Sequence, residues 1–461
     1  MKLNKIFSWL FVTMMAVSAT VVTSCEDQPD KFELTGGTPT VNYIRMPYLA
    51  QADSLIDKAS LSSVICLVGN NLTSIKELYF NDQKAQLNTS YITDHTLLVQ
   101  IPATIPAKVT DKIYMVTRDG AKVDYDFHVT VPAPAASSMS CEYAAPGSDV
   151  TFYGNYFVDD PNVPLKVTLP DGQEVTSFKS ITQSAITFTL PECTTEGAFK
   201  VQTVYGESET PFHYLDSRGM LFDFDTPWDG VHVLGNHGWH GRDIINDSYS
   251  LKGNYVQLGN GEVKMTEAGG WEDNYFSFEY WCGSWDDPQN VTSGDGVALQ
   301  YVADFTDYKN MSLKFEMYIP SSNPWCAGGM QIAFMGYDKV TLNGETGGPG
   351  KPVNDGYTGY VSGPHAFVFN GEGKRKEDEY GRAIYRPWTT TGSYDTGDKW
   401  VTVTIPLSDF NLTNKGASTT TVPNKPSDFS SFTMFVVGGG VNGTECKPII
   451  KIDNIRVVPN K

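Results

Sequence analysis

Positive charge is what this chain has least of. Among 461 residues, 34 are Lys or Arg against 53 Asp or Glu, a formal net charge of −19 with no basic cluster. That balance argues against nucleic acid and against anionic lipid headgroups as partners. Helical periodicity is nearly absent as well. There is no G-x-S-x-G, no H-E-x-x-H, no phosphate-binding loop and no C-x-x-C, so the commonest nucleophile, zinc and nucleotide signatures are missing. Uncharged apolar sequence of any length occurs once, from Ile6 to Val22. What the chain does have is 42 Gly and 12% aromatic residues among many Thr and Val, the composition of short strands and tight turns.

The one apolar run follows Lys2 and Lys5 and ends at Val22-Thr23-Ser24-Cys25, which reads as a secretory signal with a processing site. The block resembles a bacterial lipobox, in which the Cys becomes the first residue and carries lipid. Residues 1–24 are therefore expected to be a lipoprotein signal peptide and 25–40 a lipidated Cys25 with its tether. Glu26, Asp27 and Asp30 resemble a surface-export signal, and the acyl chains would be the only attachment to the membrane. The expected location is the cell outer membrane, as a surface-exposed lipoprotein. Six cysteines remain, Cys66, Cys141, Cys193, Cys282, Cys326 and Cys446, at long irregular spacings. Cys141 and Cys193 could pair within one domain; otherwise most should be buried as small hydrophobes.

From Val41 onward short strands alternate with turn residues. Gly69-Asn70-Asn71-Leu72 aligns with Gly154-Asn155-Tyr156-Phe157, and Thr96–Pro102 aligns with Ala185–Pro191. The pattern is an internal repeat of about ninety residues. The spacing suits two immunoglobulin-like sandwiches, over 41–132 and 133–215, joined at the proline-rich Val131–Ala135. The glycine-asparagine signature resembles the IPT/TIG subclass. Composition then shifts: of nine Trp, Trp9 lies in the signal and eight lie at or after Trp228. Residues 216–461 should form a large jelly-roll-like β-sandwich, which makes the fold all-β throughout.

Aromatics on the solvent side of strands are what a carbohydrate reader needs, because a flat ring matches the C–H face of a sugar. In Phe276–Trp281, strand phase puts Phe276, Phe278 and Tyr280 on one face and Ser277, Glu279 and Trp281 on the other. Trp281 is thus expected outside, and Trp285 on the loop that follows. Tyr318 points away from Leu313, Phe315, Met317 and Ile319, with Lys314 and Glu316. Trp325, Trp239 and Trp271 fall in turn-rich or glycine-rich segments. The alternative for each is a packed structural aromatic, favoured for Trp388 and Trp400. His237 and His240 are read as hydrogen-bonding loop residues. The acid pairs Asp286-Asp287, Asp223/Asp225 and Glu272-Asp273 keep open a glycoside hydrolase with two carboxylates.

Taken together, these features resemble the surface glycan-binding proteins B of Bacteroidetes polysaccharide-utilisation loci. The resemblance rests on Val22–Cys25, the two Gly-Asn repeats, and the segments Leu221–Asp225 and Ile450–Val457 that open and close the third domain. It implies capture of xyloglucan or a related β-glucan or hemicellulose without chemistry, for an outer-membrane porin and SusD-like uptake complex. No cofactor is implied, apart from a possible structural Ca²⁺ at Asp225 and Asp453. The rival readings are the hydrolase and a protein-binding adhesin.

Overall fold

The computed structural model describes residues 34, 36–51, 53–235, 237, 242–266, 273–283, 291–335, 340–342, 345–347, 381–420, 422–437 and 444–460. Cys25, Trp239, Trp271, Trp285, His240 and the Asp286-Asp287 pair lie outside them. The described residues are all-β, with helix limited to single turns such as Asp273–Phe276. The chain divides into two compact units, Met1–Ala133 and Pro134–Lys461.

The first unit is a sandwich. One sheet runs Thr40–Arg45, Val64–Asn70, Thr96–Gln100, and the other Gln83–Lys84, Ile75–Phe80, Lys112–Thr117, Lys122–Asp126. The start of the second unit repeats this plan: Ala135–Met139, Asp149–Asn155 and Ala185–Thr189 face a sheet containing Lys166–Thr168, Gly197–Thr203 and Gly206–Tyr214. The shared tetrapeptide has a physical cause. Gly69 pairs with Val41 and Gly154 with Ala136, each beside a register shift in the partner strand. A Cβ on Gly69 would sit 1.8 Å from the Thr40 carbonyl oxygen, and one on Gly154 would sit 2.0 Å from that of Ala135. Asn71 and Tyr156 then take left-handed backbone at φ 58° and 65°, and Leu72 and Phe157 turn inward to full burial. Phe152 centres the second core, with Phe188, Phe199 and Phe212 edge-on at 5.1, 4.9 and 5.1 Å.

The rest of the second unit is a larger sandwich. Its first sheet is ordered Ile244–Ile245, Tyr255–Leu258, Ile450–Pro459, Met311–Tyr318, Val401–Pro406, and Met220–Phe222 also pairs with Ile450–Pro459. The opening and closing segments of the domain are thus hydrogen-bonded neighbours. Its second sheet is ordered Ser277–Tyr280, Ser431–Val437, Gly329–Met335, Ala383–Tyr385. Between them, Leu313, Phe315 and Met317 meet Phe278, Tyr280, Phe432, Met434, Ile332 and Phe334 in one apolar core.

The outer face of the first sheet is not open to water. Glu142, from the immunoglobulin-like part, bonds Lys314 Nζ at 2.5 Å and Arg456 Nη2 at 2.7 Å. Arg456, fully buried, also holds Glu316 at 2.7 Å. The Thr402 amide donates to the Ser140 carbonyl, and Trp400 and Leu251 pack on the smaller core. Burial opposes the Arg456 charge, and Glu316 and Glu142 more than offset it, so the guanidinium is held above its ordinary range.

Candidate functional site

The outer face of the second sheet has a composition that packing alone does not explain. Strand alternation sends Phe278, Tyr280, Phe432, Met434, Val436, Met330, Ile332 and Phe334 into the core. The opposite phase therefore carries Ser277, Glu279 and Trp281, then Ser431, Thr433 and Phe435, then Gln331, Ala333 and Met335. Register aligns these into rows. Ser277 lies opposite Phe435, which lies opposite Gln331. Glu279 lies opposite Thr433, which lies opposite Ala333.

The polar groups on this face are shut from solvent: Ser277, Glu279, Gln331, Thr433 and neighbouring Arg382 are all buried. Burying them is costly unless they are hydrogen-bonded, and Gln331, Arg382 and Thr433 are. Arg382 Nη1 donates to Gln331 Oε1 at 3.0 Å, and Gln331 Nε2 donates to the Asn414 carbonyl at 3.3 Å. Trp281 Nε1 donates to Thr433 Oγ1 at 3.4 Å. At the sheet edge His237 runs beside the strand. Its amide donates to the Glu279 carbonyl at 3.0 Å, and its carbonyl accepts from the Trp281 amide at 2.7 Å. The ring Nδ1 meets the Trp281 carbonyl at 2.7 Å. The structure thus brings His237 and Trp281 together. Carboxylate, amide, hydroxyl and guanidinium beside an indole are the group types that a hydroxylated ring requires, but here they are closed to solvent and Gln331, Arg382, Thr433 and Trp281 are bonded within the protein.

Three expected exposures are corrected. Trp281 has the predicted phase but is only 7% exposed. Tyr318 also has the predicted phase and is likewise 7% exposed, because the face it occupies is roofed. The Tyr249 and Trp400 rings lie 5.7 Å from it, and Lys451 Nζ sits 3.9, 4.7 and 5.8 Å from the rings of Tyr249, Tyr255 and Tyr318. Trp325 is wholly enclosed despite its turn-rich surroundings. Its Nε1 donates to the carbonyls of Ala327 and Gly328 at 2.8 and 3.0 Å, which satisfies its polar atom inside. Trp388 Nε1 reaches the same Gly328 carbonyl at 3.0 Å, in the packed role expected of it. Among the described residues, Trp228 and Trp400 are the indoles only partly buried. Trp228 lines a cleft of 530 Å³ with Asp223, Asp225, Lys252 and Asn454. Gln331, Arg382 and Thr433 escaped the sequence reading. The signal for Gln331 was a lone polar residue in an otherwise apolar strand, and for Thr433 its alternation with Ser431 against Phe432 and Met434.

The acid pair Asp223/Asp225 is occupied with backbone. Asp223 accepts from the amides of Asp225 and Thr226 at 3.0 and 2.8 Å. Asp225 accepts from the Asn254 amide at 3.0 Å and from its side chain at 2.6 Å. Asp453 is fully buried. One oxygen accepts from the Asn454 amide at 2.7 Å and the other, Oδ2, has no hydrogen-bond partner. Burial first, and then the negative charges of Glu316, Asp225 and Asp223, push its carboxyl up to about 9. An uncommitted buried oxygen amid negative charge fits a hard cation. Among the described residues, Glu196, His213 and Asp216 bring ligand atoms within 4.8 Å of one another, but Asp216 is bound by Arg218 at 2.8 Å and Glu196 by Ser217 at 2.6 Å.

Comparison with known proteins matches residues 214–459 to the family described as surface glycan-binding protein B xyloglucan binding domain. The crystal structure of the surface glycan-binding protein PbSGBP-B from Prevotella bryantii is 48% identical, with a TM-score of 0.78, covering 93% of this chain and 100% of that one. An IPT/TIG domain-containing protein of Bacteroides ovatus is 26% identical over 212 residues. That match spans 43% of this chain and 42% of the length of that curated relative.

Proposed function

This chain belongs to the surface glycan-binding protein B family, and from that premise we propose that it captures a β-glucan, xyloglucan or a close relative, at the cell surface and holds it without cleaving it. The observation that carries the reading is the match of residues 214–459 to the xyloglucan-binding family, together with the 48% identity to a surface glycan-binding protein over 93% of this chain. Trp281, Glu279, Gln331, Thr433 and Arg382 are closed to solvent and would support a binding surface from beneath rather than touch the glycan. The acids suggested for hydrolysis that can be placed, Asp223 and Asp225, are engaged by backbone amides, which supports binding over catalysis. Lipidation at Cys25 would tether the protein to the outer membrane, beside a porin and SusD-like complex that takes up the captured chain.

Affinity electrophoresis against xyloglucan, mixed-linkage glucan, xylan and mannan tests this. Retardation by one of the two β-glucans, with no new reducing ends after prolonged incubation, is the expected result. Free migration through all four gels would refute the binding, and released reducing ends would refute the absence of cleavage.

We further propose that Asp453 and Asp225 hold a structural Ca²⁺, with Asp223 adding negative charge beside them. The support is the partnerless Asp453 oxygen and the negative charge that Asp225 and Asp223 exert on it.

A further inference from the structure

Four of the six described cysteines, Cys66, Cys141, Cys193 and Cys282, are buried, while Cys326 and Cys446 are partly exposed. These last two, 120 residues apart in sequence, meet in space. The Cys326 amide donates to Cys446 Sγ at 3.3 Å. Cys326 Sγ lies 3.5 Å from the carbonyl oxygen of Glu445, the residue preceding its neighbour.

Both cysteines stand on fixed supports. Cys446 belongs to the strand Glu445–Cys446, paired with Met265–Thr266. Cys326 follows Trp325, whose indole is enclosed and hydrogen-bonded to Ala327 and Gly328. Gly328 has φ +74°, and a Cβ there would meet Met265 Sδ at 2.9 Å, so the turn is packed directly onto the strand that pairs with Cys446. Burial raises the Cys326 thiol, and the Cys446 thiol raises it further through charge and a direct hydrogen bond. Cys446 Sγ lies 3.3 Å from its partner's amide and the two thiols hydrogen-bond each other, which sets the sulfurs side by side.

We propose that Cys326 and Cys446 form a disulfide in the mature protein. The oxidant is a protein disulfide of the thiol–disulfide oxidoreductase class, met outside the cytoplasm. One thiolate attacks that disulfide, forming a mixed disulfide and expelling one thiolate of the oxidant. The second cysteine's thiolate attacks the bridged sulfur and expels the other. Two protons leave the cysteine pair and appear on the oxidant's dithiol, which carries away the two electrons. The bond would tie the loop after the Met311–Tyr318 strand to the approach of the Ile450–Pro459 strand. Cys141 and Cys193, the pair suggested by sequence, are both buried thiols, and Cys193 Sγ instead meets the Thr195 carbonyl.

The test is the full chain exported by its own signal, denatured with excess iodoacetamide and weighed with and without prior reduction. The expected result is two more alkylated thiols after reduction, and a non-reduced peptide joining Cys326 to Cys446. Cys326→Ser and Cys446→Ser should each expose one additional alkylatable thiol without reduction. Equal alkylation with and without reduction would overturn the proposal, as would a linked peptide that contains any of the four buried cysteines.

Discussion

Arg456→Met is the sharpest probe of how the second unit is held together. The guanidinium is fully buried and makes contacts of 2.7 Å to Glu142, 2.7 Å to Glu316 and 2.8 Å to the Asn454 carbonyl. Its loss leaves Glu316 as a carboxylate with no exposed surface and Glu142 with Lys314 alone from this network. Breaking a buried pair from one side costs about 3–5 kcal/mol. For a body of this size, at about 2 °C per kcal/mol, the melting temperature should fall by roughly 6–10 °C. Differential scanning calorimetry at fixed pH is the assay. Arg456→Met with Glu316→Leu removes the stranded charge and leaves Glu142 on Lys314, so the double variant should melt above the single one. Molar salt should change the difference little, because buried pairs are weakly screened. A single variant within about 2 °C of the parent, or a double variant that melts lower still, would refute the reasoning.

Trp281→Ala should destabilise the chain by about 3–5 kcal/mol in denaturant titrations, since it empties a packed indole site; a variant as stable as the parent would refute that packing role. Gly154→Ala should lower stability by about 1–3 kcal/mol in denaturant titrations, because its methyl group meets the Ala135 carbonyl. Gly36→Ala, with open space around it, should be neutral by the same measure. EDTA should lower the melting temperature and added Ca²⁺ restore it, with Asp453→Asn insensitive to both; a parent chain indifferent to EDTA argues against the cation.

Much of this fold was legible because strand phase is a local property. The placement of Phe278 and Tyr280 against Trp281, and of Phe315 and Met317 against Tyr318, follows from side chains alternating along an extended chain. What covers the second face is not local. Tyr318 is enclosed by Tyr249 and Trp400, from segments far along the chain, and its sheet is capped by Glu142 from another domain. "Away from the core" was therefore the correct reading, and "in water" did not follow from it. Trp325 misled for a different reason: loop residues can be interior when the indole N–H finds backbone carbonyls. On the polar face, Gln331 was visible as an interruption in an apolar strand and Thr433 by its alternation with apolar neighbours, but only pairing registers showed that they share a surface with Trp281.

Lys451 stands among three tyrosine rings in the arrangement by which proteins elsewhere grip methylated amines. Here the chain has furnished the guest along with the host. Its ammonium donates to the Tyr255 hydroxyl at 2.7 Å and lies 3.9 Å from Asp247. A tenant bound covalently to its own landlord cannot be displaced by any ligand in solution. A search for aromatic boxes would flag this corner of the molecule, and the occupant explains why it should stay silent.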